Sequence, residues 1–177
     1  MSVSISKPNT KNSGCAFSFR YGVQKNEEPC LYLNAIQQYS WDSKSKTGNF
    51  ANNSKDFSKN LKIKFNEFEC GSILSCFKRR YEYNTFHSYE DNKTTVKISP
   101  WDKEIKISHL NPSSKKIETK NQKVPAFGIS ITRNGIDNFK ISLEPGEVEV
   151  VSALINNVLD RIIDFRIENQ IENFKKA

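Results

Sequence analysis

The stretch AFGISITRNGIDNFKISLEPGEVEVVSALINNVLDRIIDF, residues 126–165, decides the fold. Phe127, Ile129 and Ile131 alternate with Gly128, Ser130 and Thr132, and Phe139, Ile141 and Leu143 alternate with Lys140 and Ser142. That period of two marks half-buried strands. Between them lies Asn134-Gly135, the pair that best tolerates the positive φ of a tight hairpin. Pro145 suits the first turn of a helix, and Glu147 and Glu149 place negative charge at the positive end of its dipole. Val148, Val151, Ile155, Val158, Leu159 and Ile162 then share one helical face. The stretch therefore reads as a β-hairpin running directly into an amphipathic helix.

The unit occurs twice. Sliding the chain by 78 residues lays Leu61, Lys62, Ile63 and Phe65 over Phe139, Lys140, Ile141 and Leu143, and Glu69, Cys70, Ile73 and Phe77 over Glu147, Val148, Val151 and Ile155. Both copies carry inward apolar residues, an outward lysine and an immediate helix start. The repeat predicts two halves, each a few strands closed by a helix.

Residues 66–80 supply their own boundaries. Asn66 is a suitable N-cap with Glu69 as its capping-box partner, and Cys70, Ile73, Leu74 and Phe77 form the apolar stripe. Lys78, Arg79 and Arg80 close the helix, where they complement the dipole or, in a sharper reading, bind phosphate.

Earlier in the chain, CAFSFRYG from Cys15 and CLYLNAIQQYSW from Cys30 read as strands, with Phe17, Phe19, Leu31, Leu33 and Ala35 inward and Arg20, Tyr32, Asn34 and Gln38 outward. Residues 1–13 read as a mobile basic arm, and residues 42–60, which include Asp42, as a long lysine-rich loop or a turn containing a short strand near Phe50. After the first helix, strands are expected from Tyr81, from Lys93 and from Lys103, with Trp101 between the last two. Tyr83, His87 and Tyr89 share a face of the first of these. Residues 111–124 read as a second polar loop and 169–177 as a fraying tail, leaving a single domain over residues 14–168.

The formal net charge of +7 is unevenly spread. Residues 144–177 hold four basic and seven acidic side chains, so residues 1–143 hold 23 against 13 and carry +10. A basic excess confined to the strand-rich part is what a polyanion-binding surface needs. No apolar run reaches membrane-spanning length and no signal peptide is visible, which sets a cytoplasmic location as the expectation. Cys15, Cys30, Cys70 and Cys76 have no metal-ligand spacing to each other or to His87 and His109, so buried free thiols are expected, with no metal and no cofactor. Phosphate-loop, dinucleotide-binding, zinc-protease and nucleophile-elbow motifs are all lacking, and the histidines have no nucleophile or orienting acid at a recognisable spacing. An enzyme ranks third among the readings.

Lysines and aromatics interleaved on an exposed antiparallel sheet fit single-stranded nucleic acid, whose bases stack on rings and whose phosphates need a basic track. The candidate contacts are Arg20, Tyr32, Trp41, Lys62, Lys64, Arg79, Tyr83, His87, Lys97, Trp101, Lys106 and Lys140. The helix from Pro145 is more apolar than one sheet can cover, and Val158, Leu159, Ile162 and Ile163 are the expected contacts of a homo-oligomer, a dimer or tetramer.

LKIKFNEFECGSILSCF, from Leu61, and PAFGISITRNGIDNFKISLEPGEVEVVSALINNVLDRII, from Pro125, resemble the two strand-into-helix units of the Whirly family and of the related transcriptional-positive-cofactor-four class. KNSGCAF, from Lys11, echoes the family's lysine-glycine-lysine motif. The resemblance spans most of residues 14–166. It implies an α+β fold of two antiparallel sheets of about four strands, each half closed by a helix, a symmetric oligomer, and single-stranded DNA bound across the sheets with little sequence preference. Small size and an Asn-, Lys- and Ile-rich composition suit a bacteriophage member acting in DNA replication, recombination or repair, in the host cytoplasm. An RNA-binding protein or RNA chaperone of the same fold and a structural protein with an acidic partner are the competing expectations.

Overall fold

The computed structural model describes residues 1–110, 112, 115 and 117–176, with the side chains of 110, 118, 173 and 176 excepted. Its first half is β1 (Ser2–Lys7), β2 (Cys15–Val23), β3 (Pro29–Gln37), a small hairpin β4 (Ser40–Asp42) and β5 (Thr47–Asn49), a single 3-10 turn (Ala51–Asn53), β6 (Asn60–Phe65) and α1 (Glu67–Arg79). The second half is β7 (Tyr83–Tyr89), β8 (Asn92–Leu110), β9 (Ile117–Arg133), β10 (Asp137–Leu143) and α2 (Pro145–Lys176). Two four-stranded antiparallel sheets result, β1-β2-β3-β6 and β10-β9-β8-β7, beside the β4-β5 pair. Each large sheet is followed by its helix, so the expected α+β architecture of two antiparallel sheets is present.

The internal repeat extends to the helix caps. In α1 the Asn66 side chain accepts from the Glu69 N–H, and Glu69 Oε2 accepts from the Asn66 N–H at 3.0 Å. Glu147, which is 78 residues beyond Glu69, accepts from the Glu144 N–H at 2.8 Å through Oε2. Each carboxylate satisfies an otherwise orphaned donor where the chain leaves a strand and enters a helix. At the β9–β10 turn Asn134 and Gly135 adopt φ of 52° and 71°, as the Asn-Gly pair predicts.

Both sheets turn one apolar face onto the two helices, through odd-numbered residues except on β8, where Val96 and Ile98 point inward, and the buried side chains form one core. Phe17, Phe19, Leu31, Leu33, Ile63 and Phe65 come from the first sheet, and Ile98, Ile129, Ile131, Phe139 and Leu143 from the second. Cys70, Ile73 and Phe77 of α1 and Val151, Leu154, Ile155, Val158 and Ile162 of α2 fill the space between them. Arg166 ties α2 to the β2–β3 turn and to the start of α1, donating to Glu28 at 2.7 Å and to Glu67 at 2.9 Å.

Five sequence expectations need correction. Residues 2–7 are a paired strand rather than a mobile arm, in register from Ser2 opposite Arg20 to Lys7 opposite Cys15, because Val3 and Ile5 alternate with serines and Ile5 enters the core. Gln38 is buried, not outward, and its amide holds the β1–β2 turn through Asn9 N–H and C=O, Asn12 Oδ1 and the Ser40 carbonyl. The segments from Lys93 and from Lys103 are one strand, and much of the supposed polar loop 111–124 is its partner β9. Residues 111, 113, 114 and 116 of that loop lie outside the described residues. Finally, α2 continues to Lys176, so residues 169–176 are helix.

β8 and β9 outrun their neighbours. β7 pairs with β8 no further than Ile98, and β10 with β9 no further than Phe127, whereas β8 and β9 stay paired to Leu110 opposite Ile117. Pro100 and Pro125 fall where the flanking strands stop, positions at which a missing N–H costs no ladder bond. The two strands go on as a two-stranded ribbon. Among the described residues, no helix is long and apolar enough to cross a membrane.

Candidate nucleic-acid interface

On the outer face of the first sheet the even-numbered residues form rows across the strands. One row runs Ser2, Arg20, Tyr32, Lys64, and the next Ser4, Ser18, Asn34, Lys62. Side chains directly opposite in antiparallel strands share a face, so Arg20, Tyr32, Lys62 and Lys64 come together as alternation predicts. The Lys62 ammonium sits 3.9 Å from the Tyr32 ring centroid and the Arg20 guanidinium 6.0 Å from it. Both distances allow a cation to be held by the ring's negative face. The ring leans over Gly22, where an added Cβ would come within 2.5 Å of it, so only glycine allows this approach.

The electrostatics of this face are one-sided. No acidic residue stands at the even-numbered positions of β1, β2, β3 or β6. Among the described residues, Arg20 and Lys62 have no carboxylate partner, and Lys64 donates only to the neutral Gln24 side chain, at 2.8 Å. Arg20, Lys62 and Lys64 are all solvent-exposed.

The outer face of the second sheet carries Lys97 and Lys140 on either side of Ser130, with Trp101 two positions along β8 from Ser99. These residues border a groove of about 520 Å³ that the β1–β2 turn closes with Asn9, Ser13 and Gly14. Its charge is largely cancelled. Lys97 pairs with Glu82 at 2.8 Å, and that contact is the main cause holding the Glu82 carboxyl below its ordinary range. Lys103 and Lys7 together hold the Glu144 carboxyl down, Lys103 more strongly. Lys7 also binds Glu147 at 2.6 Å.

The remaining candidates lie apart from these two faces. Trp41 belongs to the separate β4–β5 pair, opposite Gly48. Arg79 is exposed in the last turn of α1, where it complements the helix dipole. Lys106 is exposed on the β8–β9 ribbon. Tyr83 and His87 must be corrected, because β7 turns its odd-numbered residues toward α1. The half-buried Tyr83 hydroxyl is pushed up by desolvation, and His87 Nε2 lies 3.0 Å from Glu69 Oε1. That contact lacks hydrogen-bond geometry, leaving Nε2 a buried nitrogen with only an electrostatic neighbour. Oε1 of Glu69 instead accepts from the Thr85 hydroxyl at 2.6 Å.

The expected oligomer contacts are also redistributed. Val158 and Ile162 are fully buried in the chain's own core and are unavailable to a partner, and Leu159 is half-buried against that core. Ile163 is 54% exposed and begins a stripe with Ile167, Ile171 and Phe174, 49%, 48% and 83% exposed. At 100° per residue this stripe faces away from Val151, Ile155, Val158 and Ile162.

All four cysteines are free and buried. Desolvation pushes the Cys70 thiol up to about 12 and the Cys76 thiol to about 11, which suits packing rather than nucleophilic or metal chemistry. Among the described residues no cluster of three or more His, Cys, Asp or Glu is placed to hold a metal ion. No family model, no curated protein and no solved structure matches the chain.

Two features were missed from the sequence. The β1–β2 turn walls the groove of the second sheet, and its signal was Gln38, a polar residue at a position the alternation assigned to solvent. The acidic partners of Lys97 and Lys103 come from Glu82 and Glu144, distant in sequence, so no local pattern could show the neutralisation.

Proposed function

We propose that this protein binds single-stranded DNA with little sequence preference, as a non-enzymatic binding protein of Whirly-like type serving DNA replication, recombination or repair. The observation that carries the reading is the outer face of the first sheet, where Arg20, Lys62 and Lys64 surround Tyr32 with no acid among them. A flat array of cations around a half-buried ring at the surface suits a strand whose bases are unpaired, because each phosphate takes a cation and any base can stack. The array presents a flat sheet face and no helix of the kind that enters a duplex major groove. On binding, Lys62 leaves the Tyr32 ring for a phosphate and a base takes its place on the ring.

Fluorescence anisotropy with a labelled oligothymidylate, the matched oligouridylate and a duplex of equal length tests this reading. Tightest binding to the DNA single strand, weakening steeply with salt, is expected. Preference for the oligouridylate would make it an RNA-binding protein, and salt-insensitive or absent binding to all three would leave an acidic protein partner.

The reading includes self-association through α2. The stripe of Ile163, Ile167, Ile171 and Phe174, continuous with half-buried Leu159, would be covered by the same stripe of a second copy. Antiparallel pairing centred between Ile167 and Glu168 brings Asp160 of one copy beside Lys175 of the other, a charge match that parallel pairing lacks. Light scattering should give a multiple of 20.4 kDa, and Ile167→Asp with Ile171→Asp should give a folded monomer. A wild-type mass of 20.4 kDa at working concentration would contradict the pairing.

A further inference from the structure

The basic face of the first sheet does not end at its edge. β6 is the last strand of that sheet, and on its free side a cleft of about 410 Å³ separates it from β7, β8 and β9. Lys62 and Lys64 stand at both places, on the outer face beside Tyr32 and along one wall of the cleft. The opposite wall is made by His87, Ser88, Tyr89, Asn92, Thr94 and Arg133. We propose that this cleft accepts one nucleotide of the bound DNA single strand, with its base inside against Tyr89 and its phosphate on Lys62 and Lys64. The proposal rests on the single-strand reading given above and locates within it a subsite beyond the open sheet face.

Four observations fit a nucleotide better than another small molecule. The volume lies in the range of small-ligand sites, about 300–1,000 Å³. The lining residues include no carboxylate, and the charge of Arg133 is already taken by Asp137, so the free positive charge sits at the β6 rim, where a phosphate would stay near solvent. Tyr89 is 74% exposed at the end of β7, where its ring is open to an incoming base. The fourth is the edge itself. β6 pairs with β3 on one side only, so the N–H and C=O groups directed away from β3 alternate as donors and acceptors along the cleft. Such an edge can hydrogen-bond any of the four bases, which fits a binder with little sequence preference.

The path this implies is short. A strand lying over Tyr32 crosses Lys62 and Lys64 and turns into the cleft, and the same two lysines hold the phosphate at the bend. His87 forms part of the floor. Its ring packs edge-on against Phe65 at 5.6 Å and its Nε2 is the buried nitrogen left without a hydrogen bond.

The test uses the full chain with a 20-nucleotide oligothymidylate and three variants, each checked for native circular dichroism. Tyr89→Ala removes the stacking ring from an exposed position, Asn92→Trp fills the cleft from the exposed first residue of β8, and Tyr32→Ala reports on the open face alone. Loss of one base–aromatic stack should weaken binding roughly tenfold. The expected result is that Tyr89→Ala and Asn92→Trp each weaken binding by that factor with the salt dependence unchanged, since no phosphate contact is removed. A 2-aminopurine scanned through the oligonucleotide should change its fluorescence at one position with the wild type and not with Tyr89→Ala. Wild-type affinity in both cleft variants, with Tyr32→Ala weakened, would overturn the subsite and confine the strand to the sheet face. Failure of the wild type to bind would overturn the underlying reading and the subsite with it.

Discussion

The two large sheets are built on one plan, four antiparallel strands and a capped helix, yet their outer faces differ in the charge they can offer. Lys62 and Lys140 occupy equivalent positions of the repeat, and both are exposed. Around Lys62 stand Arg20 and Lys64 with no acid on the face, whereas the second sheet meets Glu82, Glu144 and Glu147 at Lys97, Lys103 and Lys7. A basic total is therefore a poor measure of a basic surface. What counts is the number of cations without a carboxylate partner close to one another, and on the first sheet Arg20, Lys62 and Lys64 stand together around Tyr32.

The sharpest way to break this comparison is charge reversal. Lys62→Glu with Lys64→Glu should weaken single-strand binding by at least about tenfold per lost charged contact. Circular dichroism should stay native, because both side chains point away from the core. Lys97→Glu with Lys140→Glu should have a much smaller effect, within about fivefold for the already neutralised Lys97, since an exposed ion pair contributes under about 1 kcal/mol. Equal losses from the two double variants would end the distinction between the faces.

A change in pH sharpens the same comparison. Glu144 is held below the ordinary glutamate range chiefly by Lys103, and Glu67 chiefly by Arg166. A carboxylate whose folded value is depressed stabilises the fold above its unfolded value, about 4.3, and loses that contribution as pH falls through the folded value. The unfolding temperature should thus be flat from about pH 5 to 7 as far as these groups decide it, and fall below about pH 4. Where the fold survives that acidification, binding through the second sheet should strengthen relative to the first, because its lysines lose their carboxylate partners.

Much of the fold was legible because its signals are local. Alternation placed the inward residues of β2, β3, β6, β9 and β10, Asn134-Gly135 marked the turn, and Asn66 with Glu69 marked the start of α1. The errors arose where a rule depends on neighbours outside the window. SVSISK has only two apolar residues and was read as polar chain, although pairing with β2 makes it a strand. Trp101 stood between two expected strands, from Lys93 and from Lys103, but β8 runs through it without a break, and Pro100 and Pro125 are accommodated because the flanking strands stop there. Of the candidate contacts, Arg20, Tyr32, Lys62 and Lys64 converge as alternation requires. Tyr83 and His87 do not, since periodicity shows that residues share a face but not whether that face meets a helix or solvent. Val158 and Ile162 illustrate the same limit on α2, whose long apolar content divides between its own core and an opposite stripe.

The central claim, that Lys62 and Lys64 on the first sheet are phosphate ligands, is tested most directly by the salt dependence of oligothymidylate binding. Each phosphate contact on a single strand contributes about −0.7 to the slope of log K against log salt. Neutralising both lysines, Lys62→Gln with Lys64→Gln, should make the slope shallower by about 1.4. An affinity reduced or unchanged with the slope of the wild type retained would contradict the assignment, because the phosphates would then be held elsewhere.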